Sequence, residues 1–414
     1  MNRVVITGLG VVSPVGGDKV EHFSSLLAGR SGISMLKHFN ASTIPVRIGG
    51  EVKNRKLIPE AVSELADTGD DKIGFGYSAF LQAYQDAGFT GEIDGGLNLG
   101  VSLEMLPLEK VVFNCEEKIR YAEFFRRYSQ PGQSIQIPLD TLSRYLIRKF
   151  RLSGPCFLNC SACAAGTQAI GHSFRKIRRG DVKLMFAGGF DSMLNPLGIG
   201  GFSLLGALSQ KNELGAKACR PFDRRRDGAV LGEGAGVIVL EELESALNRK
   251  AKIYGEIIGY GSSLDAYRAT DPDPGGEGAA LSMRQALRDA AIEPADIGYI
   301  NAHGTSTPKN DVMETLAIKK VFGESAGKIP VSSTKSMIGH LIAAAGAVET
   351  ISSLTGFIHN RIHPTINYEH PDPECDLDYV PNQSRAWNGR YILKNSFGFG
   401  GQNACLILKR WEEK

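Results

Sequence analysis

Short β-branched runs alternate with helical stretches along the whole chain, and this pattern most restricts the fold. Val4–Thr7, Leu97–Val101, Leu184–Ala187, Val230–Leu240, Ile253–Gly261, Ile297–Ala302 and Ala404–Leu408 read as strands. Val20–Leu27, Lys72–Ala87, Ala164–Arg179, Gly278–Ala291, Asp311–Phe322 and Leu341–Ile358 read as helices. Alternation of this kind predicts α/β layers with mostly parallel sheets. Arg3-Val-Val-Ile-Thr-Gly-Leu-Gly10 is echoed by Tyr254-Gly-Glu-Ile-Ile-Gly-Tyr-Gly261, each a strand ending in Gly-x-Gly. The echo suggests a duplication too widely spaced for a short-period solenoid. Residues 102–150 are the least regular stretch and read as an insertion or lid-like excursion.

Composition excludes several function classes. The 414 residues carry a net charge of only +2, which argues against a dedicated nucleic-acid binder. Leu341–Ile358 is the most apolar stretch, but Glu349 and several Ser, Thr and Gly make it a core helix rather than a membrane span. The chain enters its first strand at Val4, which leaves no room for a signal peptide. Seven cysteines, an odd number, fit free thiols in a reducing compartment, so a cytoplasmic protein is expected.

Three segments carry candidate chemistry. Gly8-Leu-Gly10 lacks the third glycine and the acidic residue of a dinucleotide turn and reads as a strand-end turn. Cys160-Ser-Ala-Cys163 has neither a redox-domain context nor a second ligand pair for zinc. Cys163 instead falls at a strand-to-helix corner, where a helix N-terminus would lower its pKa. Its small neighbours Ala162, Ala164 and Ala165 leave space for a substrate; from this segment alone, a buried structural thiol is an equal reading. His303, in Asn301-Ala-His303-Gly, and His340, after Gly339, each adjoin a glycine at the end of an element, where a side chain can face a cleft. With Lys335 and Glu349 they favour a catalytic reading. His22, His38, His172, His359, His363 and His370 lack this context.

Ser161-Ala-Cys163-Ala-Ala-Gly166, Arg220-Pro-Phe-Asp through Gly236, Asn301-Ala-His303-Gly-Thr-Ser-Thr307, Lys335-Ser-Met-Ile-Gly-His340 and Asn395-Ser-Phe-Gly-Phe-Gly-Gly401 stand in this order. Together they resemble the beta-ketoacyl-acyl carrier protein synthases, type II, over nearly the whole chain. The resemblance implies the thiolase fold, two duplicated halves in five layers α-β-α-β-α. The halves are expected at 1–250, with the nucleophilic Cys and a variable insertion at about 102–150, and at 251–414, with both catalytic His. It implies a homodimer that condenses acyl chains with malonyl carrier protein in fatty acid or polyene/polyketide-type elongation. Cys163 would take the acyl group, His303 and His340 would support decarboxylation, and Lys335 would pair with Glu349. The N–H groups of Cys163 and Phe399 would hold an oxyanion. Phe399 would also be a gate, and Thr305 and Thr307 would contact the pantetheine arm. No resident cofactor or metal is implied, although a structural monovalent cation is compatible. Cys163 speaks against a non-catalytic chain-length-factor-like partner.

The chain departs from the family pattern in three places, one of them Ile137-Pro-Leu-Asp-Thr-Leu-Ser-Arg-Tyr-Leu146 before the nucleophile, which keeps the Pro but differs from the usual small and amide residues. Met105, Leu106, Pro107 and Leu108 replace a glycine-rich tunnel segment, which suggests a preference for short or rigid unsaturated acyl groups and a specialised pathway as the alternative. The basic helix that docks carrier protein in relatives reads Ser63-Glu-Leu-Ala-Asp67 here. Carrier docking would then fall to Arg126, Arg127 and Lys211, with Arg175, Lys176, Arg178, Arg179 and Arg220 as further basic candidates.

Overall fold

The computed structural model describes residues 1–59, 62–66, 68–103 and 138–412. The tunnel residues Met105, Leu106, Pro107 and Leu108 and the docking residues Arg126 and Arg127 lie outside the described residues. Ten strands form the main sheet: β1 (Val4–Val12), β2 (Gly96–Gly100), β3 (Cys156–Asn159), β4 (Leu184–Ser192), β5 (Glu233–Glu242), β6 (Gly255–Leu264), β7 (Ile297–Asn301), β8 (Val331–Ser332), β9 (Tyr391–Gly398) and β10 (Gln402–Lys409). Their order is β8-β7-β9-β10-β6-β1-β5-β4-β2-β3. Each half therefore runs third-second-fourth-fifth-first in its own chain order, and the two first strands meet where Val4–Ile6 pair with Gly255–Ile257.

The strand senses repeat as well. The first-fifth and fourth-fifth pairs are antiparallel, and the second-fourth and second-third pairs are parallel, in both halves. The sheet is thus mixed, which corrects the expectation of mostly parallel pairing. In the second half the cause is local: β9 turns back on itself through Phe399–Gly401 into β10, and so tight a turn can only join antiparallel neighbours.

Side-chain alternation explains the layering. On β5, Ile238 and Leu240 enter one core while Val237 and Val239 enter another; on β10, Leu406 and Leu408 are likewise opposed to Cys405 and Ile407. Both faces are buried, so both need helical cover. Helix α1 (Asp71–Asp86) covers the outer face of the first half and α3 (Glu277–Ala290) that of the second. Between the halves lie α2 (Ala165–Arg179) and α5 (Ala345–Ser353). The result is five layers, α-β-α-β-α.

The Gly-x-Gly echo has a different cause from the one expected. Gly8 and Gly10 lie inside β1, not at its end. A Cβ on Gly10 would meet Ala79 O of α1 at 1.9 Å, and one on Gly261 would meet Ser282 O of α3 at 2.0 Å. These glycines let the outer helices lie directly on the first strand of each half. Of the stretch 102–150, the described residues Thr141–Phe150 form a helix that buries Leu142 and Leu146 and points Arg144 and Arg148 outward. Leu341–Ile358 is not one helix: a 3-10 turn at Ile342–Ala344 precedes α5, and a separate turn follows at Thr355–Ile358.

Candidate active site

Cys163 sits in a single 3-10 turn, Ala162–Ala164, between β3 and α2. Ala162 is held at φ 48, an unfavourable region for a side chain, and this turns the strand sharply into the helix. His303 follows β7, and its loop is fixed by α4 (Pro308–Phe322). Glu314 accepts the His303 and Gly304 N–H bonds, both at 2.8 Å, and Asp311 accepts that of Thr305 at 3.0 Å. Residues 311 and 314 lie three apart on one helix face, so both carboxylates reach the same loop. The Arg220–Gly236 segment straps both histidine loops. Gly228 donates to Ser306 O at 3.1 Å, His340 donates to Val230 O at 2.7 Å, and Gly232 donates to His340 O at 2.9 Å.

These elements bring one atom each of Cys163, His303 and His340 within 4.8 Å of one another, all three side chains buried. The imidazoles meet edge to face with centroids 5.2 Å apart. Lys335 Nζ lies 3.1 Å from His303 Nδ1, and the Ile342 N–H donates to His340 Nδ1 at 3.1 Å. An ammonium and an amide can only donate, so each Nδ1 accepts and each Nε2 carries the proton. Burial pushes both imidazoles well below their usual value, helped by the Lys335 charge. The site therefore presents two neutral Nε2–H donors. A soft metal would need imidazole lone pairs where these protons stand, so the trio does not fit a metal.

Burial also pushes the Cys163 thiol up to about 11, against the pull of the Phe399 N–H and the Lys335 charge. The lowering expected from the helix N-terminus is thus overridden by desolvation. A cavity of about 280 Å³ opens over the trio and is lined also by Thr305, Thr307, Phe202 and Phe399. The rings of Phe202 and Phe399 stack at 6.0 Å. Lys335 and Glu349 form an ion pair behind His303, away from the cavity wall.

Family models describe the two parts of this chain as the beta-ketoacyl synthase N-terminal domain, over residues 1–246, and C-terminal domain, over residues 254–369. The chain belongs to the beta-ketoacyl synthase family. It is 45% identical to the 3-oxoacyl-[acyl-carrier-protein] synthase 2 of Coxiella burnetii, over 99% of this chain and 98% of that one. A solved beta-ketoacyl synthase of Burkholderia phymatum superposes with a TM-score of 0.88 at 31% identity, covering 100% of both chains. A ketosynthase solved in complex with its type II polyketide synthase acyl carrier protein, and bound to a hexaketide, superposes with 0.84 at 34% identity, over 99% of this chain and 100% of that one.

Within this synthase the basic candidates divide. Lys211 stays half exposed beside Asp227, which lines the cavity. Arg220 is buried, donating to Lys217 O and lying 3.7 Å from Asp223, and cannot meet a partner. Arg175 lies over the Tyr260 ring, Arg178 pairs with Asp289, and Lys176 and Arg179 share Asp181. The sequence reading missed Asp191, Asp311, Glu314 and Lys394, all fully buried. The three-residue spacing of 311 and 314 after His303 was the available signal for two of them. The other two lie on strands, where a charge reads as surface unless the partner is known.

Proposed function

We propose that this synthase performs a decarboxylative Claisen condensation, joining an acyl chain held on Cys163 to malonyl-acyl carrier protein in fatty acid elongation. The observation that carries this reading is the convergence of one thiol and two neutral Nε2–H donors in one cavity. In the first step the Cys163 sulfur attacks the carbonyl of an acyl carrier thioester. The Cys163 and Phe399 N–H groups, beside the sulfur, receive the developing oxyanion. The carrier sulfur leaves, and the thiol proton of Cys163 ends on it. In the second step the malonyl thioester oxygen accepts from His303 and His340. Carbon dioxide departs, and the electron pair it leaves becomes an enolate held by those two donors. The enolate carbon attacks the acyl-Cys163 carbonyl, and Cys163 leaves as a thiolate that takes a proton from solvent, the one proton each turnover consumes. Neutral histidines suit this role: they stabilise the enolate without protonating its carbon.

Thr305 and Thr307, bonded to each other at 2.8 Å on the cavity wall, suit the pantetheine arm. Phe399 suits a gate, because Gly400 and Gly401 at φ 76 and 72 give its turn a backbone that other residues strain to adopt. The chain divides functionally at 1–250 and 251–414, with the thiol from the first part and both histidines from the second. Acyl carrier protein is the macromolecular substrate, and Lys211 suits its acidic surface. Among the described residues the outer edge of β3 has no strand partner, and Phe157 on it is 45% exposed, which supports a homodimer built across that edge. No helix among the described residues is long and apolar enough to cross a membrane. Six described cysteines are free thiols, which supports a reducing, cytoplasmic setting. The test is intact-mass detection of acyl-Cys163 from acyl carrier protein, with carbon dioxide release measured after malonyl carrier protein is added. An acyl adduct that survives Cys163→Ala overturns the assignment.

A further inference from the structure

Lys394, on β9, is fully buried and takes no part in the steps above. Its Nζ donates to Thr167 Oγ1 at 2.9 Å and to Ser396 Oγ, and lies 3.1 Å from Glu349 Oε2. The nitrogen faces three oxygens, as an ammonium does; burial pulls its pKa down, and the Glu349 charge opposes that pull. The other Glu349 oxygen takes Lys335, which also donates to His303 O at 2.6 Å. One carboxylate thus lies between two ammonium groups, and the buried cluster carries one positive charge in excess. Stability does not explain the second lysine. Lys335 alone neutralises Glu349, and another buried ammonium adds a desolvation penalty.

The cluster reaches the histidines through Lys335, whose Nζ lies 3.1 Å from His303 Nδ1. After burial and Lys335, the Lys394 charge is a further cause holding both His303 and His340 below their usual value. The other titratable groups around them are already committed. Glu314 is bound by the His303 and Gly304 N–H groups, and Asp311 by those of Thr305 and Phe222, beside Arg226. Asp191 accepts from the Ala343 N–H, and the Cys163 thiol is neutral. None of these adds a free positive charge.

We propose that Lys394 is a positioning residue for the condensation: it clamps Glu349 against Lys335 and supplies the surplus buried charge that keeps His303 and His340 neutral donors in mildly acidic conditions. This rests on reading the two histidines as enolate-binding donors.

The test is an NMR titration of the imidazole resonances of His303 and His340 in the wild type, Lys394→Met and Lys394→Gln, with malonyl-thioester decarboxylation followed over the same pH range. Removing a buried positive charge favours the protonated form of a neighbouring imidazole. Both variants should therefore raise at least one histidine midpoint by a readable fraction of a pH unit, and the loss of decarboxylation in acid should begin at a higher pH than in the wild type. Lys394→Gln keeps a donor for Thr167 and Ser396, so it separates charge from packing if Lys394→Met folds poorly. Unmoved midpoints in a folded variant overturn the proposal, and so does an equal loss of rate at every pH. If His303→Ala and His340→Ala decarboxylate like the wild type, the functional reading falls instead, and the midpoints still decide what Lys394 does.

Discussion

The molecule contains the same elbow twice. Ala162-Cys163-Ala164-Ala165-Gly166 and Ile342-Ala343-Ala344-Ala345-Gly346 each begin with a residue in the left-handed region, at φ 48 and 46. Each makes one 3-10 turn and then opens a central helix. Each ends in a glycine at the crossing of α2 and α5: a Cβ on Gly166 would meet Ala343 O at 2.8 Å, and one on Gly346 would meet Thr167 Oγ1 at 2.3 Å. The backbones match and the chemistry does not. The first elbow holds a thiol, and its Cys163 N–H has no hydrogen-bond acceptor among the described residues. The second holds Ala343, whose N–H donates to the Asp191 carboxylate at 2.9 Å. The fold supplies two strained corners with inward N–H groups. The first is the corner proposed above to receive a substrate oxygen, and the second is filled by a carboxylate that anchors the segment following His340.

The largest expected effect comes from removing the thiol. Cys163→Ala should lower condensation by ~10⁴-fold or more and abolish the acyl adduct, because the covalent step has no substitute nucleophile. Moving the thiol sharpens the comparison. Ala343→Cys in that background should stay unacylated by intact mass, since Asp191 already occupies the N–H of the second elbow. An adduct on the relocated thiol would show that the elbow alone suffices. A smaller effect is expected from Gly398→Ala. The added Cβ would stand 3.1 Å from Cys163 N and 3.2 Å from Ala164 N, crowding the open corner. Loss of one oxyanion donor is worth ~10²-fold or more, and crowding weakens the donor without removing it, so acylation should fall by roughly tenfold to hundredfold with the melting temperature little changed. Unchanged acylation kinetics would mean that this N–H does not hold the oxyanion.

Much of this was legible in the sequence, for physical reasons that stop at identifiable points. Cys163, His303 and His340 were found because each stands where an element ends and small residues surround it. The layered fold was found because burial on both faces leaves short apolar strands between helices. The equivalence of Cys163 and Ala343 was missed because the two elbows share backbone geometry and only a trailing Ala-Ala-Gly, which is too short to be read as a repeat. Gly8 and Gly10 were misread because a glycine required by a helix lying across a strand looks the same as one required by a turn. The Cys163 thiol was misjudged because the helix terminus is a local feature, whereas the burial that overrides it is set by the second half of the chain. Lys394 and Asp191 were invisible for the same reason: Glu349, which faces Lys394, and Ala343, which donates to Asp191, lie 45 or more positions away.

Uncapping the second elbow should cost less than damaging the first. Asp191→Ala leaves the Ala343 N–H buried without an acceptor, a loss of ~1–3 kcal/mol, readable as a lower urea midpoint. Decarboxylation should suffer more than acylation, because the segment anchored there also fixes His340 Nδ1 through Ile342. Equal losses in the two half-reactions would place Asp191 outside this chain of contacts.

Asp191→Asn gives the finest comparison, because Asn keeps an acceptor for Ala343, can donate to the Ser102 hydroxyl where the carboxylate accepts from it, and removes the charge. Burial pushes the Asp191 carboxyl up from its usual 3.8 to about 6, against the Lys72 charge and the Ala343 and Ser102 donors. A carboxyl raised in this way holds its proton more tightly in the folded than in the unfolded chain. Wild-type stability should therefore fall as pH rises from about 4 to about 6 and carry the full penalty above that. The shift of about 2 pH units corresponds to an upper bound of roughly 3 kcal/mol. Asp191→Asn, with Lys72 still paired to Asp70 at 3.0 Å, should be more stable than the wild type at pH 7, and the gap should close as pH falls to 4. Cys163, pushed up to about 11, stays neutral in the folded state over this whole window, so only the capped elbow should register in the difference. Parallel stability curves for wild type and Asp191→Asn between pH 4 and 7 would show that Asp191 is ionised at little penalty, and that the second elbow is better solvated than its burial implies.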